Sequence, residues 1–576
     1  MRRYIRKRLQ RLFRNPGIEI EPDEIFLDSS NLPDFDRNQF EGRIEKPIKK
    51  EIVIKLAAVF LLIFMAVVWK TWVLQGISGE AYNIQSEMNR LRHGLIFSER
   101  GIVYDRNDVE LVWNIPNAED GFATRSYMEE NGFSHILGYI TYPLKDSKGI
   151  FYQPEYIGIE GVEYQYDHIL QGDNGLKIIE ANARDEIQSE SVIRPPRDGN
   201  NITLALDSRL QIKLHEIIAD VARSSRFDGG VGIIMNVNNG EILALTNYPE
   251  YNSNVLSEGG PVSDIESYLN STNKPFLNRA ISGVYTPGSI VKPFIGIGAL
   301  NEGVVTPTTE ILSTGVLTIP NPFNDELVSS FKDWKAHGYV DLREAIAVSS
   351  NIYFYQVGGG YETQEGIGIE NIERYVRMFG IGNITNIDLP AEAVGTIPSP
   401  SWKEENFPGD IWRIGDTYHT SIGQYGFQVT PIQMVRAIAT FSNGGILVEP
   451  TVLLNNGKET IEKRIPIDEA HFDVIKEGMR QAVMSGTAVA LNFEEVAIAA
   501  KSGTAEVGAD NEYVNSWTTG YFPYENPEYA FIILMDKAPE GTLTGSVSAA
   551  QRLFRFIIEN TPEYYGGEPL EENIQE

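Results

Sequence analysis

Residues 56–69 read LAAVFLLIFMAVVW, with no charged side chain on any face of a helix. A soluble surface helix shows one apolar stripe, and a buried soluble helix rarely runs this long without a polar position. Extended to residues 52–74, the run reaches the length of a membrane span. Lys55 and Lys70 near its ends can snorkel to an interface, and Trp69 and Trp72 suit one headgroup belt. The run starts too late for a cleaved signal peptide, and no small-x-small site follows it closely.

Charge gives the span a direction. Arg43, Lys46, Lys49, Lys50 and Lys55 precede or open it, and Arg2, Arg3, Arg6, Lys7, Arg8, Arg11 and Arg14 form an earlier cluster. Positive charge stays inside, so the N-terminus is expected in the cytoplasm and everything after Leu74 outside. The basic stretch also carries Ile5, Leu9, Leu12 and Phe13, a pattern that suits the surface of an anionic leaflet. Residues 19–36 are acidic and punctuated by proline, and read either as a solvated linker or as a docking peptide.

Beyond the span the periodicity changes repeatedly. Residues 82–92 show a short helical pattern. Residues 101–114 alternate around the polar turn Asp105-Arg106-Asn107-Asp108 and predict a hairpin. Glycines punctuate short elements over 157–177. Residues 201–206 predict a strand, and Asp207 is placed to cap a helix over 208–223. Residues 230–235 and 241–246 are apolar strands around Asn238-Asn239-Gly240, a second hairpin. Helical patterns follow Ser289, Asp341, Ile369 and Thr430, and strands are predicted over 497–501 and 529–535. Strands, then helices, then strands imply an α+β fold with an antiparallel sheet flanked by helices. A chain of 576 residues is expected to form two or three folded parts.

Composition narrows the chemistry. The formal net charge of −30 argues against nucleic acid as a partner. There is no cysteine, which excludes disulfides, thiolate metal sites and thiol catalysis. The seven histidines are scattered without a close pair, so no metal is expected.

One segment can supply a nucleophile. In Thr286-Pro287-Gly288-Ser289-Ile290-Val291-Lys292, an irregular stretch gives way to a helical run. Ser289 is expected at a helix start, with Lys292 three residues on and facing the same way. A neutral amine can take the proton of a hydroxyl if burial or a neighbouring cation lowers its proton affinity. Alone, Ser-x-x-Lys is a weak signal, equally satisfied by a capped helix with a surface lysine. Ser349-Ser350-Asn351 after a helix, then Lys501-Ser502-Gly503-Thr504 on an apolar strand, change the weighing. The ordered set is similar to that of penicillin-binding proteins and class A β-lactamases. Ser289 would be the nucleophile, Lys292 the base, Ser349 a proton relay to the leaving amine, and Asn351 an orienter of the substrate amide. Lys501, Ser502 and Thr504 would hold a substrate carboxylate. Gly503 would let the substrate backbone come close. The N–H groups of Ser289 and Thr504 would form an oxyanion hole. Lys501 would help to keep Lys292 neutral.

Beyond these motifs the chain resembles class B penicillin-binding proteins over nearly all of the part after the span. Arg100-Gly101-Ile102-Val103-Tyr104-Asp105-Arg106-Asn107 and Gly158-Ile159-Glu160-Gly161-Val162-Glu163 look like the family's pedestal signatures. Trp334 with His337-Gly338, Tyr353-Phe354-Tyr355, Ile387-Asp388-Leu389-Pro390 and Ser421-Ile422-Gly423-Gln424 are similar to the elongation type, penicillin-binding protein 2. The same holds for Trp517 with Gly520-Tyr521. The resemblance implies a serine-type D-Ala-D-Ala carboxypeptidase/transpeptidase that cross-links peptidoglycan stem peptides in cell elongation and shape maintenance. It implies β-lactams as acylating inhibitors and a membrane-embedded glycan polymerase of the shape, elongation, division and sporulation type as partner; no cofactor is implied. The implied parts are a cytoplasmic segment (1–51), a transmembrane helix (52–74), a β-rich pedestal (75–228), a transpeptidase domain (229–562) and an acidic tail (563–576). Thr286 stands where many elongation-type members have proline, and Ser289-Ile290-Val291-Lys292 departs from a common Ser-Thr-Phe-Lys. Ser350 replaces a cysteine that some relatives use in a metal site, so no metal is carried over. A division-type transpeptidase and a membrane-bound β-lactam sensor are the alternatives. A β-lactamase lacks the pedestal and the anchor.

Overall fold

A computed structural model describes residues 50–73, 93–117, 121–147, 151–181, 187–321, 324–454 and 463–567. The N-terminal basic cluster, the acidic segment, Leu74 and the helical pattern over 82–92 lie outside the described residues. The chain divides into two units, Met1–Ile84 and Gln85–Glu576. In the first, Lys50–Trp72 is a single helix. It is the one helix among the described residues that is long and apolar enough to cross a membrane, and its apolar side chains are exposed. Trp69 and Trp72 pair near one end, with ring centroids 5.6 Å apart.

In the second unit, the predicted hairpin forms with Val103–Tyr104 against Glu110–Ile115, and Val103 opposite Val112. Asp105 makes the turn: its Oδ1 accepts from the N–H groups of Asn107 (2.7 Å) and Val109 (2.9 Å). Thr124–Tyr127 and Ile202–Thr203 complete a four-stranded sheet. A second sheet joins His93–Ile96, Gly175–Ala181 and Ile187–Arg194. The same part holds a buried ion cluster. Glu163 accepts from Arg100 Nε (2.5 Å) and Arg125 Nε (2.8 Å), and Arg100 also reaches Asp167 (2.7 Å). Burial alone would raise the Glu163 carboxyl, but the two guanidiniums outweigh it and hold it below the usual carboxylate range.

The larger core is built on a five-stranded antiparallel sheet of β1 (Gly229–Asn236), β2 (Ile242–Tyr248), β3 (Ala499–Val507), β4 (Tyr513–Phe522) and β5 (Tyr529–Pro539). The spatial order is β2-β1-β5-β4-β3, which leaves β3 at an edge. The inner strands are apolar on both faces because both are covered. Pro431–Ser442, every residue of it buried and its start closed by a Thr430–Gln433 capping box, packs on one face. Ser208–Ser225 and Ser546–Asn560 pack on the other through Leu214, Ile218, Leu553 and Phe554.

Helix Ser208–Ser225 is capped by Asp207 as expected and packs against the five-stranded sheet. Tyr564 is buried and donates to Asp207 Oδ2 (2.6 Å), so the packed chain runs past 562. The two parts of this unit are tied by Tyr166 Oη to Asp388 (2.5 Å), Tyr251 Oη to Glu160 (2.7 Å) and Tyr127 N to Asn254 (2.9 Å).

Candidate active site

Ser289 lies in a 3-10 turn, Gly288–Val291, that runs directly into α1 (Lys292–Asn301). Sequence periodicity predicts a helix start; the turn preceding it is tighter. A 3-10 turn repeats every three residues, so residues three apart eclipse one another. Ser289 and Lys292 therefore share a face more closely than α-helical spacing gives. The approach is pinned: Trp517 Nε1 donates to Thr286 O (2.9 Å), Gln428 Nε2 to Thr286 Oγ1 (2.9 Å) and Gly288 N to Gly423 O (3.0 Å). Gly288 has φ +57°, and a Cβ there would lie 2.9 Å from Thr504 O. Only glycine meets both demands. Ser289 itself is half-buried.

Lys292 is fully buried. Its Nζ donates to Ser349 O (2.7 Å) and Asn351 Oδ1 (2.7 Å), with Ser349 Oγ at 3.3 Å. These partners come from the junction of α2 (Leu342–Val348) and α3 (Asn351–Gly359). α2 starts in a capping box of Asp341 and Glu344 and ends at Ser349, which adopts φ +60°. A non-glycine residue in the left-handed region costs of order 1 kcal/mol or more, so the fold holds it there against a preference. The bend aims both the carbonyl and the hydroxyl of Ser349 at the amine.

Lys501 reaches the same hydroxyl from the other side. Its Nζ donates to Ser349 Oγ (2.8 Å) and to Ser502 O (2.7 Å), and it too is fully buried. Burial pushes the Lys292 amine down to about 7, against the opposing pull of the Asp333 carboxylate. Burial, with the Lys292 charge adding to it, puts Lys501 well below the ordinary lysine range. Burial is thus the main cause in both amines; repulsion adds to it at Lys501, while at Lys292 the second influence is the opposing Asp333 carboxylate. Ser349 Oγ sits between two amines that give up protons readily.

The structure brings Lys292, Ser349, Asn351 and Lys501 together directly. Ser502 is half-buried and donates to Thr487 Oγ1 (2.7 Å), and Thr504 is exposed on the same edge strand. The missing Cβ of Gly503 faces Ile290 Cγ2 (3.0 Å) and Pro287 O (3.2 Å), so the glycine lets the turn carrying Ser289 approach the strand. Two participants escaped the sequence reading. Thr487 arrives from the loop after α4 (Glu469–Met484), whose N–H bonds Ala347 O (3.1 Å). Asp333, buried behind the Ser349 turn, accepts from Ser350 Oγ (2.8 Å) and Ile352 N (3.1 Å). Neither has a local motif; Asp333 is distinguished only by its place next to Trp334. Among the described residues no group of three or more His, Asp or Glu side chains gathers as a metal-binding cluster.

Family models match in two places. Residues 230–559 match the penicillin binding protein transpeptidase domain, and residues 120–204 the penicillin-binding protein dimerisation domain. The peptidoglycan D,D-transpeptidase MrdA of Acinetobacter baumannii is 30% identical over 449 residues, which is 73% of this chain and 64% of that protein. The chain thus spans just under two thirds of that relative's length. A penicillin-binding protein 2 from Helicobacter pylori, solved in complex with MreC, is 26% identical with a TM-score of 0.67, over 81% of this chain and 98% of its own. The Pseudomonas aeruginosa penicillin-binding protein 2, solved with WCK 5153, is 26% identical with a TM-score of 0.67, over 84% and 99%.

Proposed function

Because the chain belongs to the penicillin-binding protein transpeptidase family, we propose that it is a peptidoglycan D,D-transpeptidase acting through an acyl-enzyme on Ser289. The observation that carries the reading is Ser349 Oγ held between two buried amines beside the Ser289 turn. Neutral Lys292 takes the Ser289 proton as Oγ attacks the carbonyl between the two terminal D-alanines of a stem peptide. The oxyanion that forms is received by the N–H groups of Ser289 and Thr504. Collapse breaks the C–N bond, and the leaving amine takes a proton through Ser349 from the protonated Lys292. An amine of a second stem peptide then attacks the ester, and the same relay runs in reverse. Asn351 orients the substrate amide, while Lys501, Ser502 and Thr504 hold the terminal carboxylate.

The role in elongation rests on the relationship to MrdA and to penicillin-binding protein 2 structures. The Helicobacter protein is solved in complex with MreC, and an MreC-like protein is the first partner on this reading. A transpeptidase joins strands that a glycan polymerase makes, so a membrane-embedded polymerase is the second partner. Helix Lys50–Trp72 anchors the chain, with the N-terminus in the cytoplasm and the catalytic part outside. The test is intact-mass measurement and peptide mapping of the full chain in detergent after exposure to a β-lactam. The expected adduct lies on Ser289 and disappears in Ser289→Ala with the fold retained; an adduct of equal yield in that variant overturns the assignment.

A further inference from the structure

Three consecutive residues grip the Ser349 turn from outside. Lys332 O accepts from Asn351 Nδ2 (3.4 Å) and from Tyr355 Oη (3.3 Å). Asp333 Oδ2 accepts from Ser350 Oγ (2.8 Å), Ser313 Oγ (3.2 Å) and Ile352 N (3.1 Å), while its Oδ1 takes Trp334 N (2.9 Å). Trp334 Nε1 donates to Val348 O (3.2 Å). Residues 348, 350, 351 and 352 are therefore each held by a bond from one short segment. Residue 349, which the amines share, is the one left to the site.

We propose that Lys332–Trp334, centred on the Asp333 carboxylate, is a positioning brace that fixes the Ser349–Asn351 turn and places a negative charge behind the amine pair. The inference rests on the transpeptidase reading. A turn in the left-handed region needs neighbours that over-determine it. Asp333 supplies them: its side chain is completely buried, and it satisfies the second N–H of α3, that of Ile352, and the Ser350 hydroxyl that caps the helix. A buried carboxylate is retained at such a cost only with strong partners. Here the partners are neutral donors, with the nearest cations one layer away. The charged and titratable groups around it are Lys292 on the site side, His337, whose Nε2 lies 3.7 Å from Oδ1 and makes no hydrogen bond, Lys335, and the Tyr355 hydroxyl. Burial lowers His337, with Lys335 and Lys292 adding to it against Asp333, so at neutral pH the imidazole does not cancel the carboxylate. The charge favours protonated Lys292 and so counteracts burial.

The test is the acylation rate constant of the full chain in detergent, with a fluorescent penicillin, measured from pH 5.5 to 9. Acylation needs neutral Lys292, so the wild-type rate should rise with pH through the Lys292 transition. Asp333→Asn keeps an acceptor but removes the charge; its rising limb should move to lower pH by roughly half a unit or more. Ser350→Ala should leave the limb in place and lower the plateau on the order of tenfold through misplacement of Ser349 and Asn351. Trp334→Phe, at an exposed ring, removes only the bond to Val348 and should cost a few-fold; it keeps the test open if Asp333→Asn does not fold. A limb unmoved in Asp333→Asn, or undiminished plateaus in Ser350→Ala and Trp334→Phe, overturns the brace. Failure of the wild type to be acylated overturns the transpeptidase reading instead, so the two failures are distinct.

Discussion

Replacing Lys292 with methionine should abolish acylation and stabilise the protein at neutral pH. The amine is fully buried and titrates near 7 in the folded state, against 10.5 when solvated. At 1.36 kcal/mol per pH unit, that displacement corresponds to roughly 5 kcal/mol against the protonated, folded form. Methionine is nearly isosteric and apolar, so the penalty disappears. Ser349 O and Asn351 Oδ1 lose a donor, which returns about 1–3 kcal/mol of the gain. A net stabilisation on the order of 2 kcal/mol remains. The sign with pH is fixed. Between about 7 and 10.5 the unfolded chain binds a proton that the folded one does not, so wild-type stability rises with pH in that window. The advantage of the variant is therefore full below about 7 and shrinks towards 10.5. Denaturation midpoints of both proteins in the same detergent from pH 6 to 10 give the difference directly, since the other groups titrate alike except Lys501 and His337, whose neighbouring charge is removed. A variant that is less stable than wild type at pH 7, or whose advantage does not vary with pH, would refute the reasoning.

Lys292→Ala should lose acylation by on the order of a hundredfold or more and Lys501→Ala by less, because the first removes the base and the second a carboxylate-binding group; the reverse order of rates would exchange the roles. Gly503→Ala should slow acylation at least several-fold while leaving carboxylate binding intact, since its Cβ meets Ile290 and Pro287 at 3.0–3.2 Å and displaces the Ser289 turn; stopped-flow acylation beside reversible inhibitor affinity checks it. Glu163→Gln should destabilise the folded chain by about 3–5 kcal/mol, since it strands the buried Arg125 guanidinium and leaves Arg100 with Asp167 as its one carboxylate. A melting midpoint within error of wild type would show that the cluster is not coupled to global unfolding.

Local chemistry made much of the fold legible. Asp207, Asp341 and Thr430 were recognisable as helix starts because each side chain accepts from a backbone N–H two or three residues on, a relation contained within one turn. The two hairpins were legible for the same reason. Strand β4 (Tyr513–Phe522) showed no periodicity of its own: eight of its ten positions are buried, so both faces are covered and alternation vanishes. It was visible only through the resemblance of Trp517 and Gly520-Tyr521 to a known family. Helices Glu469–Met484 and Ser546–Asn560 passed unmarked; the first packs chiefly against helix Leu342–Val348, far earlier in the chain.

The candidate site divides along the same line. Its motif residues could be named from order and type, but what each one touches is non-local. Nothing in Lys501-Ser502-Gly503-Thr504 says that the glycine serves the Ser289 turn, because that depends on Ile290 lying 3.0 Å from a Cβ that does not exist. Nothing in Ser349-Ser350-Asn351 says that Ser349 sits at φ +60°, or that Asp333 holds the residue after it. Both facts oppose local preference: a left-handed serine, two buried amines and a buried carboxylate each destabilise the chain that folds around them. Sequence propensity registers what a segment favours. It is silent on what a segment is forced into, and this site is made of forced positions. That is why a change such as Lys292→Met should gain stability where it loses chemistry, whereas Glu163→Gln, in a cluster whose charges are mutually satisfied, should lose stability. The two substitutions separate a buried charge kept for reactivity from one kept for architecture, and the direction of the midpoint shift alone distinguishes them.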